Sequence, residues 1–238
     1  MNRPNNLVVI GLGYVGLPLA LAFSKEVPTT GFDVDTSRVD ELTTGIDRNN
    51  ELSNVALSTS KLSLTKDSSC ISDAEFIIVT VPTPITHNHE PDLSMLKSAS
   101  ELIGNRLRER SKNLPPSTVV FESTTYPGCT EGFCGPVIEQ ASGLKSGVDF
   151  FLGYSPERTN FGDGIHTVEN VVKVVSGQTS EIAKLVSETY ALVVKAGLHV
   201  AANIKTAEAS KVIENIQRDL NIALFNDCLL YTSDAADE

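Results

Sequence analysis

Three features of this 238-residue chain predict an α/β architecture, a doubly wound and mostly parallel sheet. Short apolar runs alternate with segments of helical period from near the N-terminus onward. The runs are apolar throughout rather than alternating, as strands covered on both faces must be. The first run leads directly into a glycine-spaced turn that opens a helix. With 41% hydrophobic and 21% charged residues, the chain can fill a sizeable core and is too apolar for disorder.

Taken in order, Leu7-Val8-Val9-Ile10 is the first strand. Residues 14–25 form a helix with Val15, Leu19, Ala22 and Phe23 on one side. Pro18 falls in its first turns, where proline is tolerated best. A second strand covers 29–34, and a second helix begins at 37–42. The stretch 44–60, rich in Asn, Ser and Thr, reads as a surface loop or a weak helix. A third strand, 76–81, is stopped by Pro82 and Pro84. Asp92 is placed to cap a helix that runs to about residue 110. Residues 118–122 make a strand and 130–141 a helix. Strands at 150–154 and 171–175 and a helix over 179–192 follow. The last long element, about 203–227, carries Ala209, Ile213, Ile216, Leu220 and Ala223 at helical spacing. This divides the chain into an α/β domain over 1–200 and, over 201–227, a long helix that begins a further, truncated helical domain.

The net charge of −11 repels phosphate backbones and anionic lipid at long range, which argues against nucleic acid or a membrane surface as partner. No apolar run approaches the roughly 20 residues of a membrane helix. The N-terminal apolar run is too short for a signal peptide, so a cytoplasmic location is expected. The four cysteines, Cys70, Cys129, Cys134 and Cys228, lack the spacing of a zinc or redox site and read as reduced thiols; no metal is expected.

Gly11-Leu12-Gly13-Tyr14-Val15-Gly16 fits G-x-G-x-x-G in its required context, after a strand and opening a helix, and points to a Rossmann-type dinucleotide site. Gly11 permits the sharp turn, Gly13 lets backbone approach a pyrophosphate, and Gly16 lets helix and strand pack closely. Asp33 closes the second strand about 20 residues on, where a carboxylate accepts the adenosine ribose hydroxyls and repels a 2′-phosphate. NAD is therefore expected over NADP. Arg38 argues the other way, because it is near enough to pair with a phosphate; it too is counted among the cofactor residues.

These motifs, together with Val81-Pro82-Thr83-Pro84, Glu122-Ser123-Thr124-Thr125-Tyr126-Pro127-Gly128-Cys129-Thr130-Glu131, Gly153-Tyr154-Ser155-Pro156-Glu157-Arg158 and Lys211-Val212-Ile213-Glu214-Asn215-Ile216-Gln217-Arg218, make the chain similar to the UDP-glucose/GDP-mannose dehydrogenase family. It resembles most the branch that oxidises UDP-N-acetylhexosamines at C6. The resemblance implies two hydride transfers to NAD, from a sugar CH2OH through an aldehyde to a carboxylate. A cysteine captures the aldehyde, and water hydrolyses the resulting thioester. It also implies that Tyr14, Val15, Pro82 and Thr83 join the glycines on the cofactor. Thr124 would hold a catalytic water, and Glu157 would serve thioester hydrolysis. Lys211 and Asn215, one helical turn apart, would stabilise negative charge at C6, with Arg218 near the same face. A solvated polar stripe is the plain alternative for such spacing.

Some UDP-glucose dehydrogenases carry a second glutamate where this chain has Phe161. Asn160 and Asp163 resemble an Asn-Pro-Gly-Asp stretch of the hexosamine branch, with Phe161 in place of proline. The family's nucleophilic cysteine lies in a Gly-rich motif that the chain lacks, so Cys129 and Cys134 read as structural thiols and the UDP-sugar domain as absent. The sequence from Cys228 to Glu238 matches one reading frame of a transposon-end adapter used in DNA sequencing libraries, and is expected to be a non-native tail. Exposed Leu220, Leu224 and Phe225 on the long helix predict a homodimer. Other readings are a UDP-glucose 6-dehydrogenase, a non-catalytic NAD-binding module, and a one-step dehydrogenase of the 6-phosphogluconate or 3-hydroxyacid type. The matched segments around Thr124 and Glu157 speak against the last two.

Overall fold

The computed structural model describes residues 3–49, 54–88, 90–158 and 168–234. Asn160, Phe161 and Asp163 lie outside the described residues, as do parts of the 44–60 stretch and the last four residues.

The strands are β1 (Leu7–Ile10), β2 (Thr29–Phe32), β3 (Ser63–Thr65), β4 (Phe76–Val79), β5 (Ser117–Phe121), β6 (Phe150–Tyr154), β7 (Lys173–Gly177) and β8 (Leu198–Val200). They form one sheet in the order β3-β2-β1-β4-β5-β6-β7-β8. The first six strands give the order 3-2-1-4-5-6, all parallel, which is the Rossmann arrangement. The helices are α1 (Gly16–Ser24), α2 (Thr36–Thr43), α3 (Asn54–Ser58), α4 (Ser94–Arg108), α5 (Gly135–Ser142), α6 (Ser180–Tyr190) and α7 (Ile204–Asp234).

The uninterrupted apolar run of β1 has a direct cause. Val8 and Ile10 pack into one core cluster with Leu96, Ile103 and Ile138, while Leu7 and Val9 pack into the other with Leu17, Phe23 and Val186. Helices α4 and α5 cover the first face, α1 and α6 the second, so each residue of the strand meets a hydrophobic layer. Each such side chain contributes about 1.5–3 kcal/mol by burial. The start of α7 joins the first cluster through Ile204 and Ala207.

Several boundaries differ from expectation. Leu93, not Asp92, is the residue before α4, and Asp92 instead accepts the amide of Ser94 at 2.9 Å. The segment read as one helix from residue 130 begins with a π-helical turn, Thr130–Cys134, before α5. β7 pairs antiparallel with β6, so the sheet is not wholly parallel. α7 continues to Asp234, past the expected end near 227, with Leu220, Leu224, Phe225 and Leu229 all exposed. Among the described residues, no helix is long and apolar enough to cross a membrane.

Candidate active site

Strand order reverses between β1 and β4, and a crevice opens there at the carboxyl ends of the strands, the position where such sheets bind ligands. Gly11 leaves β1 at φ +94°, a left-handed conformation that favours glycine. Its amide donates to Phe32 O at 2.9 Å, and its carbonyl accepts from the Thr80 hydroxyl at 2.8 Å. A Cβ on Gly16 would stand 1.8 Å from the Gly11 oxygen, so α1 seats on the turn only without a side chain. A Cβ on Gly13 would meet nothing within 4 Å and would project into open space. No side chain caps the start of α1, and its first turn holds no acidic residue. Backbone amides and the positive helix end are thus left to an anion.

Gly11, Gly13, Asp33, Arg38 and Pro82 line a cavity of about 670 Å³. Asp33 is fixed by two amides, Leu12 N at 2.7 Å and Asp35 N at 2.9 Å, which tie the carboxylate to the glycine turn. Arg38 is buried. It pairs with Asp47 at 2.7 Å, and its Nε donates to Leu12 O at 2.9 Å. Its guanidinium therefore braces the turn from beneath while forming part of the cavity wall. The glycine-spaced turn, the uncapped helix and the fixed carboxylate suit the pyrophosphate and ribose of NAD.

A second cavity of about 840 Å³ continues from Gly13 and is lined by Tyr14, Val15, Pro82, Thr83, Thr124, Glu157, Lys211 and Arg218. The chain thus brings together three of the four proposed catalytic side chains from the ends of β5 and β6 and from α7. Thr124 is exposed, and its backbone is clamped: Thr83 Oγ1 donates to Thr124 O at 2.8 Å, and Ser123 Oγ donates to Val81 O at 2.6 Å. Lys211 Nζ donates to the Glu157 carbonyl, and burial pushes its pKa down. Asn215 is half-buried one turn further along α7 and is not part of either cavity wall.

Two groups of residues at this site were not singled out from the sequence. Glu208 on α7 is buried and gathers the loop that follows Thr124. It accepts from Thr130 N at 2.8 Å, Thr130 Oγ1 at 2.7 Å, Thr125 Oγ1 at 3.4 Å and the Gly128 amide. Behind Glu157, Lys173 Nζ donates to Glu122 Oε2 at 2.9 Å and lies 3.7 Å from Glu157 Oε2. The Tyr190 hydroxyl donates to Glu122 Oε1. Burial, opposed by Lys173, pushes the Glu122 carboxyl up to about 7. A lysine inside an apolar strand and a glutamate in a loop motif were the only sequence signals for this group.

Cys129 and Cys134 are buried free thiols, Cys70 is half-buried and Cys228 exposed, and none of them lines either cavity.

Residues 5–194 match the UDP-glucose/GDP-mannose dehydrogenase family, NAD binding domain. Over 227 residues the chain is 50% identical to protein CapL of Staphylococcus aureus, covering 95% of this chain and 52% of that protein. Over 222 residues it is 50% identical to the UDP-N-acetyl-D-glucosamine 6-dehydrogenase of Pseudomonas aeruginosa, covering 93% and 51%. It superposes on the crystal structure of a ternary complex of GDP-mannose dehydrogenase from Pseudomonas aeruginosa with a TM-score of 0.84 at 27% identity, covering 92% of this chain and 51% of that one. The chain spans about half the length of the relatives it matches.

Proposed function

Since the chain belongs to the UDP-glucose/GDP-mannose dehydrogenase family and carries its NAD binding domain, we propose that it forms the cofactor-holding part of an NAD-dependent 6-dehydrogenase. The substrate in this reading is a UDP-N-acetylhexosamine, oxidised at C6 from hydroxymethyl to acid in the cytoplasm. The observation that carries it is the convergence of Thr124, Glu157 and Lys211 on the cavity that continues from the glycine turn. A module that only bound NAD would need none of these side chains there. The names of the relatives favour a hexosamine over glucose.

NAD, when bound, accepts hydride from the substrate carbon; the protein does the rest. Gly11, Gly13, Tyr14 and Val15 would hold its pyrophosphate, Asp33 its ribose, and Pro82 and Thr83 the wall beyond, with Arg38 bracing the turn. The Thr124 hydroxyl holds a water beside the C6 oxygen. Lys211, with its charge partly desolvated, offers a donor to negative charge developing there, and Asn215 supports it. Glu157 takes the proton of the water that hydrolyses the acyl intermediate. With no cysteine on the cavity wall, the chain by itself is expected to bind NAD without turning over.

Calorimetric titration is expected to show NAD binding at least tenfold tighter than NADP, because Asp33 repels a 2′-phosphate; equal affinities would remove Asp33 from that role. Steady NADH formation from UDP-N-acetylglucosamine by this 238-residue chain would overturn the thiol-dependent reading. The exposed Leu220, Leu224 and Phe225 of α7 also lead us to expect association of two copies along this helix. Light scattering that gave a monomer at high concentration would exclude it.

A further inference from the structure

Glu157 is placed by its surroundings more than by its own segment. Its Oε1 accepts the amide of Arg158 at 2.7 Å, which fixes one oxygen locally. Its other oxygen faces the Lys173 ammonium, 3.7 Å away. That ammonium is itself closely held. It donates to Glu122 Oε2 at 2.9 Å and to the Pro156 carbonyl at 3.4 Å, and lies 5.3 Å from the centre of the Tyr190 ring. Glu122 is fixed on its far side by the Tyr190 hydroxyl. Lys173, Glu122 and Tyr190 are all buried, and they come from β7, the end of β5 and α6. Pairing one cation with two carboxylates in a dry site is costly unless hydrogen bonds satisfy the remaining oxygens, as the Arg158 amide and the Tyr190 hydroxyl do here.

We propose that Lys173 is a positioning residue for Glu157: held by Glu122 and Tyr190, its ammonium keeps the Glu157 carboxylate charged and fixed in the cavity wall that it shares with Thr124 and Lys211. This rests on the reading of Glu157 as the residue that activates water, and supplies the reason it is poised for that work. Among the described residues, the charged groups facing Glu157 are Lys173 from β7, Glu122 from the end of β5 and Lys211 from α7, with Arg158 adjacent in sequence. Of these, Lys173 beside Glu157 Oε2 is a cation withdrawn from solvent. Glu122 competes for the same ammonium. Because burial raises the Glu122 carboxyl to about 7, near neutrality Glu122 takes up a proton and yields the ammonium to Glu157. The two acids therefore titrate as a coupled pair through one cation.

The test is carbon-13 NMR of the glutamate side-chain carboxyls across a pH titration, on the full 238-residue chain. An ammonium at this separation moves a carboxylate by about 1–3 pH units. Lys173→Met is thus expected to raise the Glu157 midpoint by about one unit or more, and Lys173→Arg to restore it. Where Lys173→Met does not fold, Glu122→Gln tests the coupling from the other side. It keeps an acceptor for Tyr190 and removes the second inflection, near pH 7, that the Glu122 proton otherwise gives the Glu157 signal. A Glu157 midpoint unmoved in a folded Lys173→Met chain, or a Glu157 signal in the unmutated chain with no second inflection near pH 7 for Glu122→Gln to remove, overturns the proposal and leaves Lys173 a structural ion pair. NAD affinity, measured alongside, reports on the glycine turn and not on Lys173. Its loss in the unmutated chain would instead undo the dehydrogenase reading.

Discussion

Glu208→Ala is expected to lower stability by about 4 kcal/mol, because it strips a buried acceptor from several donors at once. The amides of Gly128 and Thr130 both end on this carboxylate, as does the Thr130 hydroxyl. Both amides belong to a tight turn that leads into a π-helical segment, where the backbone has no helical partner to offer them. An alanine leaves them unpaired, the Thr130 groups fully buried and the Gly128 amide half-buried, and each orphaned group costs about 1–3 kcal/mol. For a chain of this length that is a fall of roughly 10 °C in Tm. Glu208→Gln keeps one acceptor but turns an NH2 group toward donors, so about half the loss is expected. Thermal unfolding measures the loss, and amide exchange at Gly128 and Thr130 locates it. Equal exchange rates in the two variants and the parent would show that the turn stands without Glu208. The position matters because Glu208 lies one turn before Lys211 on α7 while the turn it holds follows Thr124. One carboxylate sets the spacing between two walls of the same cavity.

What the sequence disclosed and what it withheld follow from how local each requirement is. The glycine turn and Asp33 were legible because each needs only its own backbone conformation and its neighbours: a left-handed Gly11, a helix start without a side chain at Gly16, a strand end at Phe32. The run Leu7 to Ile10 was legible because a strand between two helical layers has no polar face. The antiparallel direction of β7 was not legible, since an apolar run reads the same either way along the chain. β3 and β8 are three residues each and partly exposed, and so carry too little apolar pattern to register. The π-helical turn keeps helical composition, so residues 130–134 could not be told from α-helix. The Glu122, Lys173 and Tyr190 group was invisible for a further reason. Its members are far apart in the chain and meet only because β5, β6 and β7 lie side by side with α6 across them. Thr124, Glu157 and Lys211 are equally far apart. They were singled out through resemblance to a family rather than through any local signal.

Replacing the two glycines Gly16 and Gly13 separates the fold from the cofactor site. At Gly16 an added Cβ would lie 1.8 Å from the Gly11 carbonyl oxygen and 2.4 Å from Thr80 Oγ1. The first of these is backbone in the turn itself, where the Gly11 amide is anchored to Phe32 O and the carbonyl accepts from Thr80 Oγ1, so it cannot swing aside. Gly16→Ala must push α1 off β1 and break the packing of Leu17 and Leu19 beneath it. The expected result is a loss of about 3 kcal/mol or more, at the upper end of overpacking costs, with no measurable NAD binding. Gly13→Ala is expected to do the reverse. Its Cβ meets no protein atom within 4 Å, so stability stays within about 0.5 kcal/mol of the parent. That same methyl group stands where the backbone must come close to a pyrophosphate, and NAD affinity is expected to fall at least tenfold, about 1.4 kcal/mol. Thermal unfolding and calorimetric titration of both variants read the two effects independently. A Gly13→Ala chain that binds NAD as the parent does would place the pyrophosphate away from this turn, and would take with it the reading of the first cavity as the cofactor site. A Gly16→Ala chain of unchanged stability would mean that α1 does not seat on β1 as closely as the 1.8 Å approach requires.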